Sequence, residues 1–247
     1  MLNPFNIPEL TYLIIGFLDF KSVTLATQWT WNTYFLIRKM PIYEELQFCL
    51  RNIKKKHTKN RSKNILVENI FLSACQHNCL HLAYNILEHY DNNTINVLDQ
   101  GLIEASKHGH IPMVELLVRH GAKVCSSKCE ALRCASEEGH LDVVKFLVDH
   151  GIDINSNDSN NEAVIEACVN GHLEIVKYLV EKGANIHDQD FSEPGLILAC
   201  EHGWLHIVKY LVEETNANIH ADDDAAIYEA SANGHFDIVK YLIEKGA

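Results

Sequence analysis

A glycine followed by histidine or tryptophan recurs through this chain at a nearly constant interval. It appears as Gly109-His110, Gly139-His140, Gly171-His172, Gly203-Trp204 and Gly234-His235, at spacings of 30, 32, 32 and 31 residues. A further unit lies 31 residues earlier, with Asn78-Cys79 in place of the pair. Self-similarity at such a period means stacked units, none of which buries its apolar face alone.

Registered on that position, the six units share one pattern. Four residues before it, every unit has alanine: Ala74, Ala105, Ala135, Ala167, Ala199 and Ala230. Three before it the residue is small: Cys75, Ser106, Ser136, Cys168, Cys200 and Ser231. Seven before it the residue is apolar: Phe71, Leu102, Leu132, Val164, Leu196 and Ile227. This is a short helix with a large-then-small face, and small residues let neighbouring helices approach. The glycine ends the helix, because a left-handed backbone costs least without a β-carbon. Asn78 is the next best residue there. A second helix follows, with Val114, Val144, Val176, Val208 and Val239 on its core face and Leu117, Leu147, Leu179, Leu211 and Leu242 three residues on. Gly121, Gly151, Gly183 and Gly246 end that helix; one unit has Thr215-Asn216 and an extra residue instead, which predicts a distorted turn.

The stretch from Ala167 through Gly171-His172 and Lys177-Tyr178 to Gly183-Ala184-Asn185-Ile186 resembles the ankyrin repeat. The resemblance runs over residues 64–247 as six repeats. It implies an all-α solenoid of helix–turn–helix units joined by short loops or hairpins. The usual Thr-Pro-Leu-His opening is missing from every unit, for example Glu130-Ala-Leu-Arg133 and Glu162-Ala-Val-Ile165. Less rigid turns and a lower stability per repeat follow from that loss. This divergent style is similar to the ankyrin arrays of giant DNA viruses. The outer face of the last unit needs a polar cover, and none follows in the sequence. Fraying, a covering partner and a truncated chain all fit.

Charge narrows the partner class. The formal net charge is −12, yet Arg51 to Lys63 carries seven Lys or Arg and no acid, so the rest of the chain carries −19. Nonspecific nucleic-acid binding needs a cationic face to displace counterions, so the whole chain argues against it. The basic run is a nuclear signal, a nucleic-acid patch or a solvated linker over 51–63; no aromatic residue interleaves it for base stacking. The apolar run from Tyr12 to Leu18 is too short to span a membrane, and no basic leader precedes it. Eight cysteines in a chain of this length without a leader read as reduced thiols in an intracellular, cytoplasmic setting.

Residues 1–50 do not fit the repeat. Ile7, Pro8, Glu9 and Leu10 open an apolar pattern that continues through Ile14, Ile15 and Leu18 to an aromatic cluster at Trp29 and Trp31. Pro8 suits the first turn of a helix. The pattern resembles an F-box, which implies docking of Ile7, Pro8, Leu10, Ile14, Ile15 and Leu18 on the Skp-type adaptor of a cullin ubiquitin ligase. Trp29-Thr30 stands where that family has Val-Cys before its Trp. An amphipathic helical cap over the first repeat fits the same residues.

Cys75, His77, Cys79 and His81 alternate, but on a helix they face two ways, which suits no tetrahedron. Cys125 and Cys129 share that spacing without a second pair nearby. The repeated histidines His110, His140, His172 and His235 read as a structural hydrogen bond, since each unit has one. No Gly-rich phosphate loop, His-Glu-x-x-His or Gly-x-Ser-x-Gly appears. The reading is a non-enzyme with no cofactor and no metal, whose partner is another protein.

The resemblance places partner binding on loop tips and on the exposed face of the first helices. The two residues before each glycine vary in charge: Lys107 and His108, Glu137 and Glu138, Val169 and Asn170, Glu201 and His202. Tips turn acidic toward the C-terminal side, at Asp188, Asp190 and Asp222, Asp223, Asp224. Trp204 alone replaces a histidine, and is an anchor if exposed and a gap-filler if buried. A basic or mixed-charge partner near the last three units fits these positions.

Overall fold

The computed structural model describes residues 61–89, 97–124, 129–152, 154–155, 161–186 and 193–247. The F-box-like residues Ile7 to Leu18, the basic run up to residue 60, and Asp188 and Asp190 lie outside the described residues. Twelve helices and no strand occur among those described: α1 (Arg61–Gln76), α2 (Leu80–His89), α3 (Leu98–Lys107), α4 (Ile111–Arg119), α5 (Glu130–Glu137), α6 (Leu141–Asp149), α7 (Glu162–Val169), α8 (Leu173–Glu181), α9 (Pro194–Glu201), α10 (Leu205–Glu214), α11 (Ala221–Ala232) and α12 (Phe236–Lys245). Helix α1 takes in Arg61 to Lys63, so helix begins three residues before the array was expected to start.

The chain forms two compact units. The first gathers the described residues up to Ala105 with Pro112–Ala122, and the second Ser106–Ile111 with Lys123–Ala247. In the first unit Phe71, Ala74, Cys75, Ile86, Leu102 and Leu117 are fully buried. Gly101 sits inside α3 because a β-carbon there would lie 3.0 Å from both the Cys75 sulfur and the Phe71 ring. Asn78 takes φ 54°, the left-handed turn that glycine takes in later repeats.

In the second unit the helices pair as α5/α6, α7/α8, α9/α10 and α11/α12, and the pairs stack in two layers. The first helices α5, α7, α9 and α11 pack closest. Their alanines and small residues explain this: Ala135, Ser136, Ala167, Cys168, Ala199 and Cys200 are all 0–1% exposed. The second helices contribute Val144, Val176 and Val208, with Leu147, Leu179, Leu211 and Leu242. The repeat register assigns the same burial to Val239, Ile227 and Ser231, and the structure corrects this. Val239 and Ile227 are half-buried and Ser231 is exposed, because no further helix pair covers α11 and α12 among the described residues.

Helix starts and stops follow the local chemistry. None of the first helices α5, α7, α9 and α11 has a side-chain N-cap bond, as the loss of the threonine opening implies. Each missing cap forgoes about 1 kcal/mol. Helices α4, α8 and α12 close with an N–H five residues past a leucine carbonyl: Ala122 to Leu117, Ala184 to Leu179 and Ala247 to Leu242. At Thr215-Asn216 the extra residue widens that closure, so the N–H of Ala217 reaches back six residues to Leu211. Asn216 supplies the left-handed residue at φ 56°. The expected distortion is one residue of slack.

A polar clamp joins α10 to α12. The Tyr241 hydroxyl donates to Glu213 Oε1 at 3.1 Å, and Lys245 Nζ lies 3.0 Å from the same oxygen. Lys209 and Lys245 flank the Tyr241 ring. Burial, followed by the Glu213 carboxylate, pushes the Tyr241 hydroxyl from 10.0 up to about 12. The Lys245 hydrogen bond, followed by that of Tyr241, holds Glu213 below its ordinary 4.5. The tyrosine favours its neutral form in the fold, so its contribution is full below pH 10 and lost as pH climbs toward 12. The glutamate favours its charged form, so its contribution is present above 4.5 and lost as pH falls through the lowered value. A tyrosinate absorbance titration is expected to lose its component near pH 12 in Tyr241→Phe. An unchanged titration in that variant refutes the clamp.

Candidate protein-binding edge

The turns between the first and second helices of the second unit line up along one edge. Each glycine there is covered by a ring from the next repeat. His140 lies against Gly109, His172 against Gly139, Trp204 against Gly171 and His235 against Gly203. A β-carbon at Gly139 would fall 2.6 Å from His172 Cε1, so glycine is required for the approach as well as for its φ of 82°. Each ring nitrogen then donates to the carbonyl two residues before the glycine. His140 Nε2 reaches Lys107 at 3.0 Å, His172 Nε2 reaches Glu137 at 3.0 Å, Trp204 Nε1 reaches Val169 at 2.7 Å and His235 Nε2 reaches Glu201 at 2.9 Å. A carbonyl only accepts, so the imidazoles carry their proton on Nε2. The reading of Gly-His as a repeated structural hydrogen bond is met in these repeats, with the bond running between neighbours.

Trp204 is half-buried and does the work of a histidine with a larger ring. The adjacent His206 places Nε2 3.3 Å from the Gly171 carbonyl, a contact the repeat pattern did not signal. The backbone at Lys107, Glu137, Val169 and Glu201 is thus held by the next repeat.

The side chains at these positions differ in what they are free to do. Lys107 and His108 are exposed, and His108 stacks on His110 at 5.9 Å between ring centroids. Glu137 is half-buried and shares Arg133 with Glu166, at 3.0 and 3.3 Å. Val169 and Glu201 are half-buried. Asn170 Nδ2 donates to the Glu166 carbonyl and His202 Nδ1 to the Leu198 carbonyl, both at 2.9 Å, so each adds a second bond to a carbonyl of its own helix that already accepts its backbone N–H. The Glu138 carboxylate has no N–H to give, and it stays exposed at the C-terminal end of α5, where the helix dipole disfavours an acid. Arg133 was not singled out in the sequence, because its opposite charges come from the turn of its own helix and from 33 residues on.

Asp222, Asp223 and Asp224 are exposed at the start of α11, in three successive left-handed conformations with φ of 52°, 58° and 63°. His220 Nδ1 lies 2.6 Å from Asp224 Oδ1. The structure thus separates two groups of the candidate residues: the turn-edge set around the glycines and this acidic entry to the last repeat.

The cysteines among the described residues belong to the core. Cys75 and Cys79 are buried and His81 is exposed, so the alternating tract is divided between the core and the surface. His77 is half-buried. Cys129 is disulfide-bonded, which corrects the reading of reduced thiols at that position. Desolvation pushes the Cys168 and Cys200 thiols up to about 12, far above the 9.0 of a free thiol. Thiolate is the reactive form, so neither is expected to react with a thiol reagent at pH 8 except through unfolding. Mass-resolved labelling checks this, and fast modification of either in the folded chain contradicts the packing.

No helix among the described residues is long and apolar enough to cross a membrane. No curated protein matches the chain. A family model described as ankyrin repeats (3 copies) matches residues 70–158 and again residues 164–247. The two matches span most of the chain and take in every ring-covered glycine described above, and the chain belongs to the ankyrin-repeat family, a family of protein-binding modules.

Proposed function

We propose that the second unit binds a partner protein along its turn edge, with Lys107, His108 and Glu138 as its freest polar contacts and Asp222 to Asp224 as an acidic flank. One observation carries this reading. The backbone beneath these side chains is locked by ring-to-carbonyl bonds, while the side chains differ in charge from repeat to repeat. A rigid scaffold with variable tips loses little entropy on binding. Glu137, Val169, Asn170, Glu201, His202 and Trp204 shape the same edge, and the acidic tips Asp188 and Asp190 extend the candidate set. The partner that suits this charge is basic or of mixed charge. Triple reversal by Asp222→Lys, Asp223→Lys and Asp224→Lys is expected to slow association at least several-fold at low salt and to flatten its salt dependence. Stopped-flow binding to the partner captured on the immobilised chain measures it, and unchanged rates discard the acidic flank.

A second proposal concerns residues 1–50. The Ile7-Pro8-Glu9-Leu10 opening with Ile14, Ile15 and Leu18 supports docking on a Skp-type adaptor, with the repeats selecting a target for a cullin ubiquitin ligase inside the cell. A scaffold or decoy without that link is the alternative. Purified adaptor and cullin are offered to the intact chain and to a form lacking residues 1–50. Capture by the intact chain alone supports the adaptor role; no capture by a folded intact chain leaves the scaffold.

A further inference from the structure

Arg133 is an internal template for a site further along the array. Its Nη1 lies 3.0 Å from Glu137 on its own helix α5 and 3.3 Å from Glu166 on the neighbouring α7. Counted from the turn glycine of its own repeat, Glu137 stands two residues before and Glu166 five before. One guanidinium thus bridges carboxylates of two stacked first helices, which puts those two registers side by side on the surface of the layer.

The same diagonal recurs at the later junctions. Between α7 and α9 it pairs Val169 with Leu198, both half-buried. Between α9 and α11 it pairs Glu201 with Glu229, again half-buried. Ile197 takes the register of Arg133 there, so this acid pair has no cation supplied from its own helix. Neither carboxylate forms an ion pair among the described residues. Two carboxylates at these registers repel unless a cation lies between them, and a guanidinium fork is the group best shaped to bridge them. The pair lies between two packed helices and not on the outer face of the array.

We propose that Val169, Leu198, Glu201 and Glu229 form a docking surface for an extended segment of a partner protein that carries an arginine three residues from an apolar side chain. The arginine bridges Glu201 and Glu229 as Arg133 bridges Glu137 and Glu166. The apolar residue rests on Val169 and Leu198, one junction away. Packed neighbouring helices lie about 10 Å apart, and about three residues of extended chain span that distance. Lysine is a poorer fit, because a point charge on a flexible stem does not present two parallel N–H donors. This chemistry rests on the turn-edge reading, since Val169 and Glu201 belong to both surfaces.

The probe is the peptide acetyl-Leu-Ser-Ser-Arg-Ser-Ser-Leu-amide, whose one arginine has a leucine three residues away on either side. It is titrated into the full chain, and heteronuclear NMR shifts of the backbone amides read binding. Saturable shifts at Val169, Leu198, Glu201 and Glu229 are expected. Glu201→Gln, Glu229→Gln and lysine in place of the peptide's arginine should each weaken binding at least about fivefold. Ile197→Arg supplies the cation from within and should weaken the peptide by a similar factor, with unshifted amides in α5 to α8 showing an intact fold. The rearranged peptide Ser-Ser-Leu-Arg-Leu-Ser-Ser should bind more weakly, because its leucines fall short of the Val169 and Leu198 seat. No shifts up to about 10 mM peptide, or binding indifferent to both Glu229→Gln and Ile197→Arg, overturns the proposal. The captured partner separates this from the edge reading. Binding reduced by Glu138→Lys and untouched by Glu229→Gln leaves the edge and overturns the arginine seat; binding untouched by either discards both.

Discussion

Leu179→Ala is expected to destabilise the second unit by about 3–5 kcal/mol, the range for a fully buried leucine whose cavity cannot collapse. Leu179 lies on α8, is 0% exposed, and has a helix pair stacked on either side. Its carbonyl also receives the Ala184 N–H that closes α8, so the side chain packs beneath the turn that ends its own helix. In a stacked array each interface supports the next, so a loss at the centre weakens two junctions at once. Leu242 is also 0% exposed, yet its helix pair has a neighbour on one side only among the described residues. Leu242→Ala is therefore expected to cost less. Urea unfolding followed by circular dichroism measures both. A Leu179→Ala loss below about 1 kcal/mol, or a larger loss at Leu242, contradicts the two-sided packing.

Gly139→Ala is expected to cost about 3 kcal/mol, from two causes that a cycle can separate. The left-handed conformation costs an alanine about 1 kcal/mol or more. The added carbon would meet His172 at 2.6 Å. The ring must then leave, and its bond to the Glu137 carbonyl is lost, about 1–2 kcal/mol more. Gly151 provides the control. Its φ is 90° and nothing lies within 4 Å of a β-carbon there, so Gly151→Ala should show the backbone cost alone. In a His172→Ala background, Gly139→Ala should fall to the Gly151→Ala value. The coupling in that double-mutant cycle is expected at about 1–2 kcal/mol. Additive effects would mean that the ring does not hold the neighbouring turn.

Much of this was legible beforehand. The alanine and small-residue columns at Ala135-Ser136, Ala167-Cys168 and Ala199-Cys200 became the closest helix contacts, because only residues of that size permit them. Asn78 took the left-handed turn, because its short polar side chain tolerates that backbone. Other features were illegible for definite reasons. Periodicity assigns Val239 and Val208 the same burial, since it counts spacing along a helix and not which pairs flank it. The exposure of Phe236 and Tyr228 followed only from the lack of a helix pair against α11 and α12 among the described residues.

The order of residues along the chain was enough to establish the repeat, its helices and its turn residues. All of these depend on local backbone preference and on spacing within one unit. The stacked fold was needed to show that each histidine ring covers the glycine of the preceding repeat, that Trp204 is a member of that series, and that Asn170 and His202 are occupied by their own helices. Those facts depend on distances between residues some 30 positions apart and on the direction each side chain takes at a helix end. Sequence spacing carries neither.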